Sequence, residues 1–353
     1  MTKNKIIPIF VPHLGCPNDC VFCNQKKITG LREFNLENVK NNIDEYLRLF
    51  NNSQNIELAF YGGSFTAIEK TTQDALLQIA LDLKNSNEIV KIRISTRPDC
   101  INKEIIDNLQ KYKVDTIELG VQSLNDEVLN LSKRGHNSES VYRAVELIKD
   151  SSFNLGLQQM VGLPGDTMKK SINTTYEIIS LKPDFVRIYP TLVIKDTELE
   201  EMYNNKEYMP FSFEKSVEIT TKIMMIYEFN NINIIRVGLQ SSENLKFDKD
   251  VVAGPLNDAF REYCESEKLL KIIKFNELNI DSDELNIYAN SRNISLLVGQ
   301  KGLNKAKIKK YFNLNKIKFI SDNTLGNKIK LKSSNQEYNI DIEETLKKIV
   351  KGW

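Results

Sequence analysis

The stretch His13-Leu14-Gly15-Cys16-Pro17-Asn18-Asp19-Cys20-Val21-Phe22-Cys23 follows the apolar run Ile6–Val11 and carries three of the chain's five cysteines, spaced C-x-x-x-C-x-x-C. A structural zinc site wants four protein ligands, and no second Cys or His pair lies nearby in the sequence to complete one. A cubane [4Fe-4S] cluster has four irons, so three thiolates leave one iron open to a small molecule. The ligand count therefore favours a cluster, with zinc or a chance spacing as the competing readings. Phe22 stands directly before the third cysteine, where an aromatic shields a cluster and holds its loop. His13 is read as ordering that loop without ligating anything. Cys100 and Cys264 are isolated and read as small buried hydrophobes. A disulfide framework is not expected at this density, in keeping with a reducing compartment.

The 353 residues suffice for one large domain and a small one. Hydrophobic residues make up 41% and charged residues 27%, which argues for a globular chain over a disordered or fibrous one. No secretory leader pattern and no bilayer-length apolar run is visible, so the cytoplasm is expected, with no membrane partner and a monomeric state. The net charge of +1 hides an asymmetry. From Arg292 onward there are 14 Lys/Arg and 5 Asp/Glu, a balance of +9, whereas the preceding residues carry 34 and 42, a balance of −8. A basic tail on an acidic body suggests contact with a polyanion, most simply nucleic acid. A lysine-rich solvated face is the other reading.

Short β-branched runs alternate with helical stretches through the first two thirds. Strands are expected over Ile6–Val11, Ile56–Tyr61, Val90–Ser95, Thr116–Val121, Leu155–Met160 and Asp184–Ile188. Helices are expected over Leu36–Phe50, Thr72–Asn85, Lys103–Lys111, Ser138–Lys149 and Lys169–Leu181. Such repeats imply parallel strands with right-handed crossovers. Six units fit an α/β fold of the partial (β/α)6, TIM-like barrel kind, with chemistry at the strand C-terminal ends. A doubly wound sheet gives nearly the same string, and the cysteine loop after the first strand tips the reading to the barrel. A helix over Phe213–Glu228 and a further strand candidate, Ile232–Val237, follow. The expected division is a barrel core over 1–240, a helical linker over 241–277 and a small basic domain over 278–353. That last segment reads strand, helix, Gly299-Gln300-Lys301-Gly302, helix, strand, strand. Its order is similar to the minimal KH RNA-binding fold, in which a Gly-x-x-Gly backbone clamps phosphates. The resemblance makes Gly299, Gln300, Lys301 and Gly302 RNA-binding candidates; an ordinary helix–helix turn is the alternative.

Motifs stand where strands end. Gly62-Gly63-Ser64-Phe65 closes the second strand, and two glycines there let backbone groups approach a ligand or simply make a tight turn. Ser95-Thr96-Arg97-Pro98-Asp99 closes the third strand and Glu118-Leu119-Gly120-Val121-Gln122-Ser123 the fourth. Lys133-Arg134-Gly135-His136 and Gly162-Leu163-Pro164-Gly165 come next. Gln122 can hydrogen-bond a ribose hydroxyl and Arg134 can pair with a carboxylate. By themselves these two read first as a strand-end cap and a surface ion pair.

Taken together, the cysteine loop and these motifs resemble the radical S-adenosylmethionine (SAM) family. With Arg187-Ile188-Tyr189-Pro190-Thr191-Leu192-Val193-Ile194 added, they are similar to the radical SAM core of the elongator catalytic subunit family, which modifies the wobble uridine of tRNA. The resemblance implies that Cys16, Cys20 and Cys23 ligate a [4Fe-4S] cluster and that SAM chelates the open iron. It makes Gly62, Gly63, Ser95, Gln122 and Arg134 SAM-site candidates, and it implies an electron donor such as flavodoxin or ferredoxin. Tyr189 and Lys195, after the sixth strand, are candidates for catalytic proton or hydrogen donors, with packing and surface roles as the other reading.

There are departures from the family pattern. The first two cysteines are closer together here, and Ser95 stands where elongator relatives carry Glu. About 117 residues follow Arg236 without an acetyl-CoA-type glycine signature, so an acetyltransferase domain is not expected. The leading expectation is a radical SAM enzyme that modifies tRNA or rRNA. The alternatives are radical chemistry on a small molecule or protein, and a non-enzymatic, metal-stabilised RNA-binding protein.

Overall fold

A computed structural model describes residues 5–11, 16, 19–24, 35–50, 55–239, 245–247 and 249–353. The chain divides into two compact units, Met1–Phe211 with Ile232–Leu256, and Ser212–Asn231 with Asn257–Trp353. The first is built on seven strands: β1 (Lys5–Val11), β2 (Ile56–Gly62), β3 (Lys91–Thr96), β4 (Thr116–Gln122), β5 (Asn154–Val161), β6 (Phe185–Pro190) and β8 (Asn233–Val237). Their order in the sheet follows the chain, and every neighbouring pair is parallel. A doubly wound sheet reverses its strand order at a switch point. This one does not, so the sheet curls in one direction as an open, TIM-like half-barrel. The run read as a further strand candidate supplies its seventh strand.

Helices α1 (Leu36–Phe50), α2 (Lys70–Asn85), α3 (Lys103–Lys111), α5 (Ser138–Lys149) and α6 (Met168–Ser180) make the crossovers, with a short α4 (Asp126–Leu131) before α5. The starts of α3, α5 and α6 are set by short polar side chains. Asn102 Oδ1 accepts from Ile105 N at 2.9 Å, Asn137 Oδ1 from Ser140 N at 3.1 Å, and Thr167 Oγ1 from Lys170 N at 3.2 Å. Each cap satisfies a helix donor that would otherwise lack a partner, worth about 1 kcal/mol. Helix α3 then buries Ile106 and Leu109 and leaves its polar residues outside. With helices over one face and side chains filling the other, the strands stay apolar almost throughout, as parallel strands must. After β6 the chain makes a two-stranded ribbon, β7 (Val193–Ile194) with β9 (Val251–Ala253), and helix α7 (Glu198–Asn204).

The second unit joins helices α8 (Phe213–Phe229) and α9 (Phe260–Phe275) to a four-stranded sheet ordered β11 (Lys316–Ser321), β10 (Glu284–Ala289), β12 (Lys328–Lys332), β13 (Glu337–Asp341). Strands β10 and β11 are parallel and are linked through α10 (Ser291–Val298) and α11 (Leu303–Tyr311); the other pairs are antiparallel. Strand β13 and the closing helix α12 (Ile342–Lys351) extend the expected order. Helix α12 turns Leu346, Ile349 and Val350 inward and is in contact with α8 and α9. Helix α8, buried over most of its length, therefore belongs with this unit and not with the barrel that precedes it in sequence. The compact units thus cut across the linear division at 240 and 277. Among the described residues no helix is long and apolar enough to cross a membrane.

Candidate functional site: a cavity at the strand ends

The C-terminal ends of the barrel strands open on a cavity of about 260 Å³. Cys16, Cys20 and Cys23 line it, together with Gly62, Gly63 and Ser64 after β2, and Ser95, Thr96 and Arg97 at the end of β3. Gly120 and Gln122 from β4, Arg134, Gln158 and Tyr189 complete the polar wall. The cluster and SAM-site residues expected from sequence are thus brought together, and Tyr189 with them. Lys195 is not: it follows β7, where its backbone N–H bonds the Asp250 carbonyl at 2.9 Å and its carbonyl accepts from Asn24 Nδ2 at 3.1 Å. His13 lies outside the described residues.

The cysteine loop is anchored by its own apolar residue. Val21 N donates to the Ser132 carbonyl at 3.2 Å, and the Val21 carbonyl accepts from Leu199 N at 2.8 Å. Its side chain packs with Val193, Leu199 and Tyr208, and Phe22 leans on that cluster while also lining the cavity. Cys23 N bonds the Cys20 carbonyl at 2.9 Å, closing a tight turn between two thiols. Two guanidinium groups approach Cys20 Sγ: Arg134 Nη1 at 3.2 Å and Arg97 Nη1 at 3.7 Å. Donors of fixed positive charge suit a thiolate, the form in which sulfur binds metal. Among the described residues no three His, Cys, Asp or Glu side chains converge on a single ion. A cluster ligated at three different irons asks for a wider triangle of thiols.

The glycine motif is dictated sterically. Gly62 has φ +104°, and a Cβ there would stand 2.6 Å from the Val11 carbonyl oxygen, so only glycine fits. Thr96 ties the loop to β3 through Ser64 Oγ at 2.7 Å and Thr66 Oγ1 at 2.6 Å. Gln122 has φ +67° beside a register shift between β4 and β5, a strained conformation that re-aims its side chain into the cavity.

Three cavity-lining polar atoms are buried without a partner among the described residues: Ser95 Oγ, Gln122 Oε1 and Arg134 Nε. Each such atom costs about 1–3 kcal/mol, and folded chains carry few of them. Two acceptor-capable oxygens and a guanidinium N–H around one cavity fit a polar, partly anionic ligand; together with the thiols, they fit the group the sequence implies.

Below the cavity lies a charge network that reading along the chain did not single out. Arg93 Nε donates to Glu57 Oε1 at 2.7 Å, Arg93 Nη1 also bonds Glu118, and Arg187 Nη2 reaches Glu118 Oε1 at 2.9 Å. Gln158 Nε2 adds a bond to Glu118 Oε2 at 3.1 Å. At the upper end, Arg187 Nη2 donates to Tyr61 Oη at 3.1 Å and Nη1 to Tyr189 Oη at 3.3 Å. Burial, with Glu118 nearby, pushes the Tyr61 phenol up, so it stays neutral. The signal was a lone charge inside each apolar strand body, alternating in sign across β2, β3, β4 and β6. Buried beside the site, His136 has its pKa lowered to about 4 by burial and the charge of Arg134. A larger cleft, about 560 Å³ in the second unit, is lined by Glu228, Glu265 and Lys268, and the Lys268 ammonium bonds both carboxylates at 2.6–3.0 Å.

Parallel half-barrel, three-cysteine loop and strand-end cavity define a radical SAM enzyme core. A model of the radical SAM superfamily matches residues 10–177, and a radical SAM C-terminal domain model matches residues 183–271. The chain belongs to the radical SAM superfamily, whose cofactors are a [4Fe-4S] cluster and SAM. It is 32% identical over 255 residues to the tRNA uridine(34) acetyltransferase of Methanocaldococcus jannaschii, a match covering 61% of this chain and 47% of that protein. Over 256 residues it is 26% identical to human Elongator complex protein 3, covering 61% and 47%. The solved structure of the archaeal Methanocaldococcus infernus Elp3 with an N-terminal deletion superposes with a TM-score of 0.60 at 25% identity, covering 76% of this chain and 63% of that one. The chain spans about half the length of these curated relatives.

Proposed function

We propose that this chain is a radical SAM enzyme that modifies RNA, with a uridine of tRNA the first substrate to test. Cys16, Cys20 and Cys23 would hold the cluster, with Arg97 and Arg134 offsetting the charge on Cys20. When bound there and reduced through a donor such as flavodoxin or ferredoxin, the cluster and SAM supply a 5′-deoxyadenosyl radical able to take hydrogen from a substrate C–H bond. Gln122 Oε1 would accept from a ribose hydroxyl, Arg134 Nε would donate to a carboxylate, and the Gly62-Gly63 backbone would meet the amino group.

Tyr61 and Tyr189 take the donor role. A guanidinium only donates, so each phenol oxygen accepts from Arg187 and must turn its own hydrogen elsewhere. Both rings line the cavity, and the O–H of Tyr189 is the donor offered to a substrate.

The observation that carries this reading is the meeting in one cavity of three thiols and three polar atoms that have no partner among the described residues. The RNA part rests on the names of the relatives and on the basic tail. The test is mass spectrometry of nucleosides after anaerobic incubation of the reconstituted chain with SAM, reductant and tRNA from cells lacking the gene. A new nucleoside mass that requires the chain supports the reading. SAM turnover on a peptide or small molecule, with every RNA unchanged, would replace it.

A further inference from the structure

The sheet of the second unit has one face packed and one open. Leu285, Ile287, Ile317, Ile329, Leu331 and Ile340 point to the buried side. Register then fixes what the open side presents. Lys318, Asn286 and Lys332 form one row across β11, β10 and β12. Tyr288, Lys330 and Asn339 form the next row across β10, β12 and β13. The carboxylates of this face lie at its margins and are engaged there. Glu284 is 3.0 Å from Lys316, Glu337 is 3.8 Å from Lys332, and Asp341 caps helix α12. Among the described residues neither Lys318 nor Lys330 makes an ion pair within 4 Å, and the one carboxylate whose charge Lys330 feels, Asp322, is bonded to Thr324 beyond the end of β11. Lys330 Nζ instead sits 5.2 Å from the centre of the Tyr288 ring.

We propose that this open face binds a single-stranded segment of RNA, with Tyr288 stacking a base and Lys318 and Lys330 meeting phosphates. The charge is complementary to a polyanion, and the aromatic at the centre of the face distinguishes a nucleic acid from an acidic peptide. An open sheet face with a central ring can stack unpaired bases and has nothing with which to enter a duplex groove. Asn286, two positions before the ring on β10, and Asn339, beyond Lys330 in the same row, offer both donors and acceptors for base edges. The cation resting on Tyr288 leaves the ring for a phosphate when a base takes its place. The inference rests on the RNA reading above but assigns the contact to this face and not to the Gly299–Gly302 turn.

The experiment is fluorescence anisotropy of a labelled oligouridylate with the full chain over a salt series. Tyr288→Leu should weaken binding about tenfold, since stacking is lost, while Tyr288→Phe binds as the parent does. Lys318→Ala with Lys330→Ala should lower the slope of log K against log salt by about 1.4, at 0.7 per phosphate contact. Unchanged melting temperatures show that the variants fold. Parental affinity in all face variants, with loss only in Lys301→Ala, overturns the face and leaves the RNA reading standing. Failure of the parent chain to bind any RNA overturns both. Polyglutamate competing as well as oligouridylate would make the face a generic polyanion contact and also overturns the proposal.

Discussion

Arg187 and Glu118 meet inside the barrel at 2.9 Å, from strands β6 and β4, with the Glu118 side chain wholly buried. Two arginines and two carboxylates share that interior, so its charges balance only while all four are present. Removing one partner leaves another buried and unmatched, which is far more costly than never having the pair. Glu118→Gln should therefore lower stability by about 3–5 kcal/mol. Chemical denaturation followed by circular dichroism checks this. Arg187→Met should also free the hydroxyls of Tyr61 and Tyr189, reducing product formation more than SAM binding.

Gly62→Ala sets a methyl against the Val11 carbonyl at 2.6 Å in a backbone conformation with φ +104°. We expect a loss of about 1–3 kcal/mol in unfolding free energy and a displaced loop that binds SAM weakly. Isothermal calorimetry with SAM measures the second effect. Gly302→Ala, where a Cβ meets nothing within 4 Å, should leave SAM binding unchanged.

Arg134→Lys keeps a positive charge but cannot reproduce the fork that bonds Cys20 Sγ at 3.2 Å and the Gly120 carbonyl at 2.6 Å. The expected result is retained iron content with SAM affinity reduced roughly tenfold, or about 1.4 kcal/mol. Iron analysis beside calorimetry separates the two quantities.

His136 gives a pH signature. Its folded pKa is lowered to about 4, below the ordinary value near 6.5, so between those limits the unfolded chain binds a proton that the folded chain does not. Stability should be level with respect to this group above about pH 7 and fall as pH drops through 6.5 toward 4, by about 3 kcal/mol in all. His136→Gln should remove that component from a series of denaturation curves.

Much of this was legible in the sequence because the barrel repeats its units. Each strand–helix unit carries its own apolar run, and from Asn102 onward its own capping Asn or Thr, so local signals sufficed from Ile56 to Ser180. The cavity was legible for a related reason: polar residues that end an apolar strand, such as Ser95 and Gln122, have only the barrel mouth to face. The Glu57–Arg93–Glu118–Arg187 network was not, since each charge is meaningful only beside partners 25 or more positions away. Strand order decided between a barrel and a doubly wound sheet, and no local pattern encodes it. The placement of α8 with the second unit depends in the same way on burial against helices that follow it much later in the chain.

The most direct test of the strand-end cavity as a radical SAM site is anaerobic reconstitution with iron and sulfide, followed by assay for 5′-deoxyadenosine with SAM and dithionite. The account predicts about four irons per chain, 5′-deoxyadenosine formation, and loss of that product in Cys20→Ala. A single bound ion with no SAM cleavage, or full turnover in Cys20→Ala, would contradict it.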